Sequence, residues 1–141
     1  RLVYSRARYL PASKLNGLKA QQVIMAGGCV LSDCQLDRCV IGVRSMVREG
    51  TRFRNVIMMG ADWFEDDDDR QQNRDLQRPD IGVGSGCHIE NAIIDKNARI
   101  GNNVRLNPEG KPDMFESGDV IVRDGVLIVT KNGVVPDGTV I

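Results

Sequence analysis

Apolar residues recur at intervals of six along most of this chain, and the run restarts several times. Ile24, Val30 and Leu36 fall six apart, as do Ile41, Val47 and Phe53. Ile81 and Cys87 follow, then Ile94, Ile100 and Leu106, and finally Ile128, Val134 and Val140. Glycine comes directly after the apolar residue at Ile41-Gly42, Ile81-Gly82 and Ile100-Gly101. An α-helix repeats every 3.6 residues and a simple strand every 2, so neither gives this spacing. A triangular parallel β-helix does, with one short strand per hexapeptide and one coil per three strands. The pattern therefore predicts an all-β parallel β-helix.

The same rhythm divides the chain. Residues 1–19 lack it, and Tyr9-Leu10-Pro11-Ala12 reads as an extended segment stiffened by proline. A linker and cap is expected over 1–19, with the coils over 20–141, because an open coil end exposes backbone groups and apolar core. Residues 60–80 break the rhythm with the acidic run Glu65 to Asp69, followed by Arg70, Gln71, Gln72, Asn73 and Arg74. Such an insertion is expected to loop out at one corner, its acidic run either binding a cation or forming a solvated face. Coils resume from Ile81 to about Leu106. A second interruption, Asn107 to Asp119, carries Pro108, Gly110, Pro112 and Gly118. Residues 120–141 then close the repeat with Val122, Val126, Ile128, Val134 and Val140. Gly42, Gly50, Gly101, Asn102, Asn103, Gly133 and Gly138 are candidates for the tight corners.

Composition narrows the function classes. The 141 residues bound a single domain, and 4% aromatics against 41% hydrophobics suits a narrow interior of stacked Val, Ile and Leu. Nineteen basic residues balance nineteen acidic ones, which argues against bulk nucleic-acid or membrane-surface binding. No apolar run reaches membrane-spanning length. The sequence starts at Arg1 with neither an initiator Met nor a signal peptide, as expected of a fragment or a processed chain. The four cysteines, Cys29, Cys34, Cys39 and Cys87, contain no C-x-x-C, so they read as small buried apolar residues rather than zinc ligands. Unpaired thiols fit a reducing cytoplasm. No metal ligands are assigned.

Candidate chemistry is sparse. His88 is the single histidine, expected to face outward, and no second polar group is spaced to orient it. A hexapeptide β-helix that used His88 as a base would be a stand-alone acyltransferase. Gly82, Gly84 and Gly86 alternate without opening a helix and read as turn residues. Lys96 and Arg99 fall in Ile93-Ile94-Asp95-Lys96-Asn97-Ala98-Arg99-Ile100-Gly101, and Lys131 in Leu127-Ile128-Val129-Thr130-Lys131-Asn132. Projecting from neighbouring coils on one side, they suit a phosphorylated metabolite; the alternative is ordinary surface cations. Arg6 and Arg8 would join the same anion site if the N-terminal segment folds back.

Several of these segments, taken together, resemble glucose-1-phosphate adenylyltransferase (ADP-glucose pyrophosphorylase). Arg8-Tyr9-Leu10-Pro11-Ala12-Ser13-Lys14 is similar to the family's R-Y-L-P-P-S-K, with Ala12 in place of the second proline. Val40-Ile41-Gly42-Val43-Arg44-Ser45 resembles V-[IV]-G-x-R-S, and Met59-Gly60-Ala61-Asp62-Trp63-Phe64-Glu65 resembles M-G-A-D-[YF]-[YF]-E. Ile81-Gly82-Val83-Gly84 resembles I-G-I-G, Ile93 to Gly101 resembles I-I-D-K-N-A-R-I-G, and Gly138-Thr139-Val140-Ile141 resembles the terminal G-T-V-I. The matches run in order over nearly the whole chain.

The resemblance implies a left-handed β-helix, although ordinary crossover connections are right-handed. It implies the C-terminal domain of an enzyme that makes ADP-glucose and pyrophosphate from ATP and glucose 1-phosphate, with magnesium, towards glycogen or starch. That enzyme's catalytic domain is N-terminal and is not in this sequence. The chain is then expected to supply regulation and subunit assembly, to have no catalytic residue or cofactor of its own, and to be inactive alone. Expected partners are the catalytic domain, further copies in a homotetramer, and phosphorylated sugar or nucleotide effectors, with no nucleic acid or membrane. Location would be cytoplasmic, or plastidic in a plant. By the same resemblance Lys96 contacts effector phosphate at the interface between the two domains, Lys131 is the other activator-linked lysine, Arg8 lies near bound anions, and Arg123 matches a commonly basic position before Lys131. Arg6 stands where a Gln is common. Fructose 6-phosphate, fructose 1,6-bisphosphate or 3-phosphoglycerate would activate; AMP, ADP or phosphate would inhibit. A purely structural oligomerisation module and the acyltransferase are the rival readings.

Overall fold

A computed structural model describes residues 10–141. The chain runs through β1 (Lys14–Asn16), β2 (Lys19–Met25), β3 (Val30–Ser32), β4 (Gln35–Ile41), β5 (Met46–Val47) and β6 (Arg52–Met58), then the helix α1 (Asp67–Asp75). It continues through β7 (Gly82–Val83), β8 (His88–Ile94), β9 (Arg99–Ile100), β10 (Arg105–Leu106), β11 (Glu116–Ser117), β12 (Val120–Arg123), β13 (Val126–Val129) and β14 (Val134–Val135). Regular pairing starts at Lys14, which pairs with Val30, ahead of the boundary expected at residue 20.

β1, β3, β5, β7, β9 and β14 stack as one six-stranded sheet in which every pairing is parallel. β2, β4, β6 and β8 stack in parallel as the body of a second sheet. Each of these four is seven residues long and bends at its middle residue. Gln22, Arg38, Asn55 and Asn91 hold φ of 55°, 54°, 55° and 49° there. One left-handed residue turns the strand, so the second sheet splits into two flat faces and the whole has three.

Within each face the residues at i and i+2 point inward, as a strand's alternation requires. The first is small and the second large: Cys34 with Leu36, Cys39 with Ile41, Ser45 with Val47, Thr51 with Phe53, Cys87 with Ile89, Ala98 with Ile100. All are buried. Cys29, Cys34, Cys39 and Cys87 thus fill a slot that Ser45 and Thr51 fill elsewhere. Ser45 Oγ donates to the Gly42 carbonyl at 2.8 Å, Thr51 Oγ1 to that of Gly84 at 2.7 Å, and Cys87 Sγ to that of Gly101 at 3.1 Å. Burial raises the Cys34 thiol to about 11, which keeps it protonated and inert.

The repeat is not a constant six. From Ile41 to Val47 to Phe53 the core advances by six, but from Phe53 to Met58, and from Ile89 to Ile94, it advances by five. The five-residue steps are those across the single-residue bend. Lys19 pairs with Gln35, Gln35 with Arg52 and His88 with Arg105, so a coil takes 16 or 17 residues rather than three full hexapeptides. Two of the expected core runs are therefore out of register. Ile24 is 72% exposed and Val140 72%, and the interior instead holds Leu31, Leu127, Val129 and Val135.

Ile24 and Ile128 share a column, whereas Val140 bridges Arg105 instead. Ile24 pairs with Val40, Val40 with Ile57, Ile57 with Ile93, Ile93 with Ile128, and Ile128 with Ile121. They form an outward column of β-branched side chains up one face. The neighbouring face carries Lys19, Gln35, Arg52, His88 and Arg105 in the equivalent column.

Two departures from a plain solenoid remain. The first insertion is not an open loop but holds α1. Asp66 caps it, accepting from the Asp69 amide at 2.8 Å while Asp69 accepts from the Asp66 amide at 3.0 Å. Asp67, Asp68 and Asp69 lie in the first turn, where carboxylates complement the helix dipole. The acidic run is thus a helix start, and α1, the one helix among the described residues, is far too short to cross a membrane. At the other end, residues 116–129 do not continue the coil directly. β11 and β12 pair antiparallel, as do β12 and β13, and this meander closes the second sheet. Gly82, expected in a turn, is a strand residue of β7 whose Cβ position is filled by Met46.

Candidate functional site

Where the face bearing Val40, Ile57 and Ile93 turns into the six-stranded sheet, successive coils place two backbone positions in the same register. Backbone amides climb this corner rung by rung: Arg44 donates to the Gly27 carbonyl at 3.2 Å, Ala61 to Val43 at 2.9 Å, Asn97 to Gly60 at 3.0 Å, and Asn132 to Lys96 at 2.9 Å. Gly27, Val43, Gly60, Lys96 and Lys131 therefore occupy one position on consecutive rungs. Asn97 and Asn132, the residues that follow the lysines, turn the corner with φ of 61° and 58°. Adjacent rungs stand about 4.8 Å apart. The two lysines expected at the anion site are thus stacked neighbours.

A third side chain completes the corner. The chain leaving β6 keeps its rung through Gly60 and Ala61 before departing towards α1. Gly60 has φ 93°, and a Cβ there would overlap the Val43 carbonyl oxygen, so this backbone admits only glycine. The rung delivers Asp62 to the lysines. Lys96 Nζ donates to Asp62 Oδ1 at 3.0 Å, Asn97 Nδ2 donates to Asp62 Oδ2 at 3.0 Å, and the Asp62 amide donates to Asn97 Oδ1 at 2.9 Å. The Asn97 and Lys96 hydrogen bonds, aided by the charges of Lys96 and Lys131, hold the Asp62 carboxyl below its ordinary 3.8. Lys131 is exposed and makes no ion pair among the described residues.

Arg99 points elsewhere. Its Nη1 reaches Glu65 Oε2 and Asn73 Oδ1 at 3.0 Å each and the Pro79 carbonyl at 3.1 Å. Asn73, 1% exposed, also donates to Glu65 at 2.7 Å and Asp80 at 2.9 Å and accepts from Arg78 at 2.8 Å. Glu65 in turn accepts from the Ile81 amide at 2.6 Å. Burial pushes the Glu65 carboxyl up, but the Asn73, Ile81 and Arg99 contacts outweigh it and leave it below the ordinary 4.5. Arg99 therefore pins the base of the α1 insertion to the coils.

The other predicted positions are dispersed. Arg123 lies at the β12–β13 turn, donating to Glu116 at 2.7 Å and to the Phe115 and Val122 carbonyls. Val126 is its cross-strand partner, so it sits at the opposite end of this hairpin from Lys131. Arg6 and Arg8 lie outside the described residues. His88 faces outward between Arg52 and Arg105, beside a groove of about 490 Å³ that Lys19 and Glu90 also line. Desolvation and the two guanidiniums lower its pKa against the smaller opposing effect of Glu90, and so favour the neutral imidazole. Among the described residues no three His, Cys, Asp or Glu side chains are grouped to hold a metal.

Asp62, Asn97 and Gly60 were not expected to act at this corner. Asp62 stood only as a letter of the Met59–Glu65 segment. Its approach to Lys96 spans 34 positions and depends on the rung that Gly60 keeps. A family model described as the GLGC left-handed parallel beta-helix domain matches residues 8–140. The match spans both insertions and gives the coil its left hand.

Proposed function

Since the chain belongs to the family of GLGC left-handed parallel β-helix domains, the C-terminal domain type of ADP-glucose pyrophosphorylase, we propose that it regulates and assembles that enzyme rather than catalysing a reaction itself. The observation that carries the regulatory half is the pairing of Lys96 and Lys131 at one position on adjacent rungs. Two lysines carried by rigid backbone at one position on adjacent rungs can bring their ammonium groups onto the oxygens of one phosphate ester. Lys96 and Lys131 would bind an anionic sugar phosphate or nucleotide. Arg99 and Arg123 support the site by holding the two insertions in place.

The assembly half rests on the column Ile24, Val40, Ile57, Ile93, Ile128 and Ile121. Water-exposed sheet faces ordinarily alternate polar residues outward. A continuous aliphatic column on one face beside a charged column on the next marks a surface that is covered in the assembled enzyme. It adjoins the lysine corner. A catalytic domain seated on this face would meet the effector as well, and a phosphate bridging the two would favour one domain arrangement over another.

The test is made in the intact enzyme. Lys131→Ala, and separately Lys96→Ala, should raise the concentration of activator needed for half-maximal activation by about tenfold or more, the change that follows from losing a charge-assisted contact of roughly 1.5 kcal/mol. An unchanged activator response in both variants contradicts the role.

A further inference from the structure

The lysine corner already contains an anion. We propose that Asp62 is the resident occupant of the Lys96–Lys131 site, a built-in carboxylate that an incoming phosphate must displace. The inference rests on the reading of that corner as the effector site and adds to it what sets its threshold.

Geometry carries the argument. Asp62 is not a surface carboxylate that happens to meet a lysine. Its backbone is fixed by the Gly60–Ala61 rung between Val43 and Asn97, and its amide is bound to Asn97 Oδ1 at 2.9 Å. One carboxylate oxygen is held by Asn97 Nδ2 and the other by Lys96 Nζ, both at 3.0 Å. The carboxylate is thus presented to the lysines by a preorganised loop. Yet the Lys96–Asp62 pair is half exposed, at 36% and 45% of the side chains, so an ion from solvent can compete for it.

Charge decides the competition. Lys96 and Lys131 carry two positive charges, and Asp62 neutralises one. A monoanion that replaces Asp62 gains nothing in charge. A phosphate dianion can neutralise both lysines, which a monoanion cannot, so the lysine pair favours phosphate esters, while Asp62, kept nearby by Asn97, raises the concentration they need. Displacement leaves Asp62 still bound to Asn97 but released from Lys96. The next residues along, Trp63 and Phe64, are 46% and 41% exposed. Trp63 is the only tryptophan of the chain and sits beside the residue that is released.

Trp63 fluorescence is therefore the readout. The chain is titrated with inorganic phosphate at pH 7.5 and constant ionic strength, with potassium chloride as the monoanion control. The wild type should show a saturable change with phosphate and none with chloride. Asp62→Asn keeps the Asn97 contacts and removes the competing charge, so it should bind phosphate about fivefold tighter or more. Lys96→Met in the Asp62→Asn background should abolish the gain. Asp62→Ser is made alongside, with far-UV circular dichroism showing which variants fold. If Asp62→Asn and Asp62→Ser fold and bind phosphate no tighter than the wild type, Asp62 is not the occupant, while weakened binding in Lys96→Met leaves the effector site standing. If Lys96→Met and Lys131→Met bind phosphate as the wild type does, or no variant binds it, the effector site fails and the role of Asp62 fails with it.

Discussion

Ile100 and Ile57 are the same side chain in opposite settings. Ile100 points into the coil and is 1% exposed, whereas Ile57 points out and is 45% exposed. Removing the first leaves a cavity between stacked rungs, so Ile100→Ala should cost about 2–5 kcal/mol in urea unfolding. Ile57→Ala loses only strand preference and a few contacts with Val40 and Ile93, and should cost about 1 kcal/mol or less. Equal losses would mean that the inward and outward assignments are wrong. The contrast also shows what a single residue reveals in sequence. Ile100 falls on the six-residue rhythm, whereas Ile57 lies in the apolar run Val56 to Met59, and only the five-residue step across the left-handed bend at Asn55 tells that Val56 and Met58 turn inward there and Ile57 does not. Asn55 and Asn91 suit that bend, but Gln22 and Arg38 at the equivalent positions give no such signal.

At the scale of elements, the α1 insertion is a separate unit held by one polar cluster. Arg99 and Glu65 are 12% and 5% exposed at the side chain, and Asn73 links both to Asp80 and Arg78. Deleting one partner strands a buried charge, so Arg99→Ala should loosen the insertion by about 3 kcal/mol. Protease should then cut within residues 66–78 at neutral pH while the coils stay intact. The wild type should show the same cut only in acid. Glu65 has a folded pKa below its ordinary 4.5, so its contribution is complete above that value and is lost as pH falls through the depressed one. Cutting that is independent of both Arg99 and acid would exclude the cluster as the anchor. The coils on either side were legible as hexapeptides because their cores advance by six at two of three corners. The helix was not, because its acidic run looks like any solvated loop until Asp66 and Asp69 are seen to cap it. The antiparallel β11–β12–β13 closure was hidden for a similar reason. Val120, Val122, Leu127 and Val129 alternate as well in either strand direction, and only the turn at Asp124 and Gly125 reverses the chain.

The whole molecule is a prism with unlike faces. One is partly covered by its own insertion, one carries a basic column with His88, and one presents an aliphatic column beside two stacked lysines. Lys96 and Lys131 were legible because their motifs resemble those of a known family. Asp62 was not, because nothing local links it to a lysine 34 positions on. If this chain carries a substantial part of an effector site at that corner, effectors should stabilise it. The most direct measurement is its thermal unfolding midpoint with fructose 1,6-bisphosphate, fructose 6-phosphate, 3-phosphoglycerate and AMP at matched ionic strength. A ligand at a hundred times its dissociation constant stabilises by about 2.7 kcal/mol, which is readily seen as a shift. At least one of these should raise the midpoint saturably, and Lys96→Met or Lys131→Met should remove the rise. A rise that survives both substitutions, or no rise with any of the four, would contradict an effector site there.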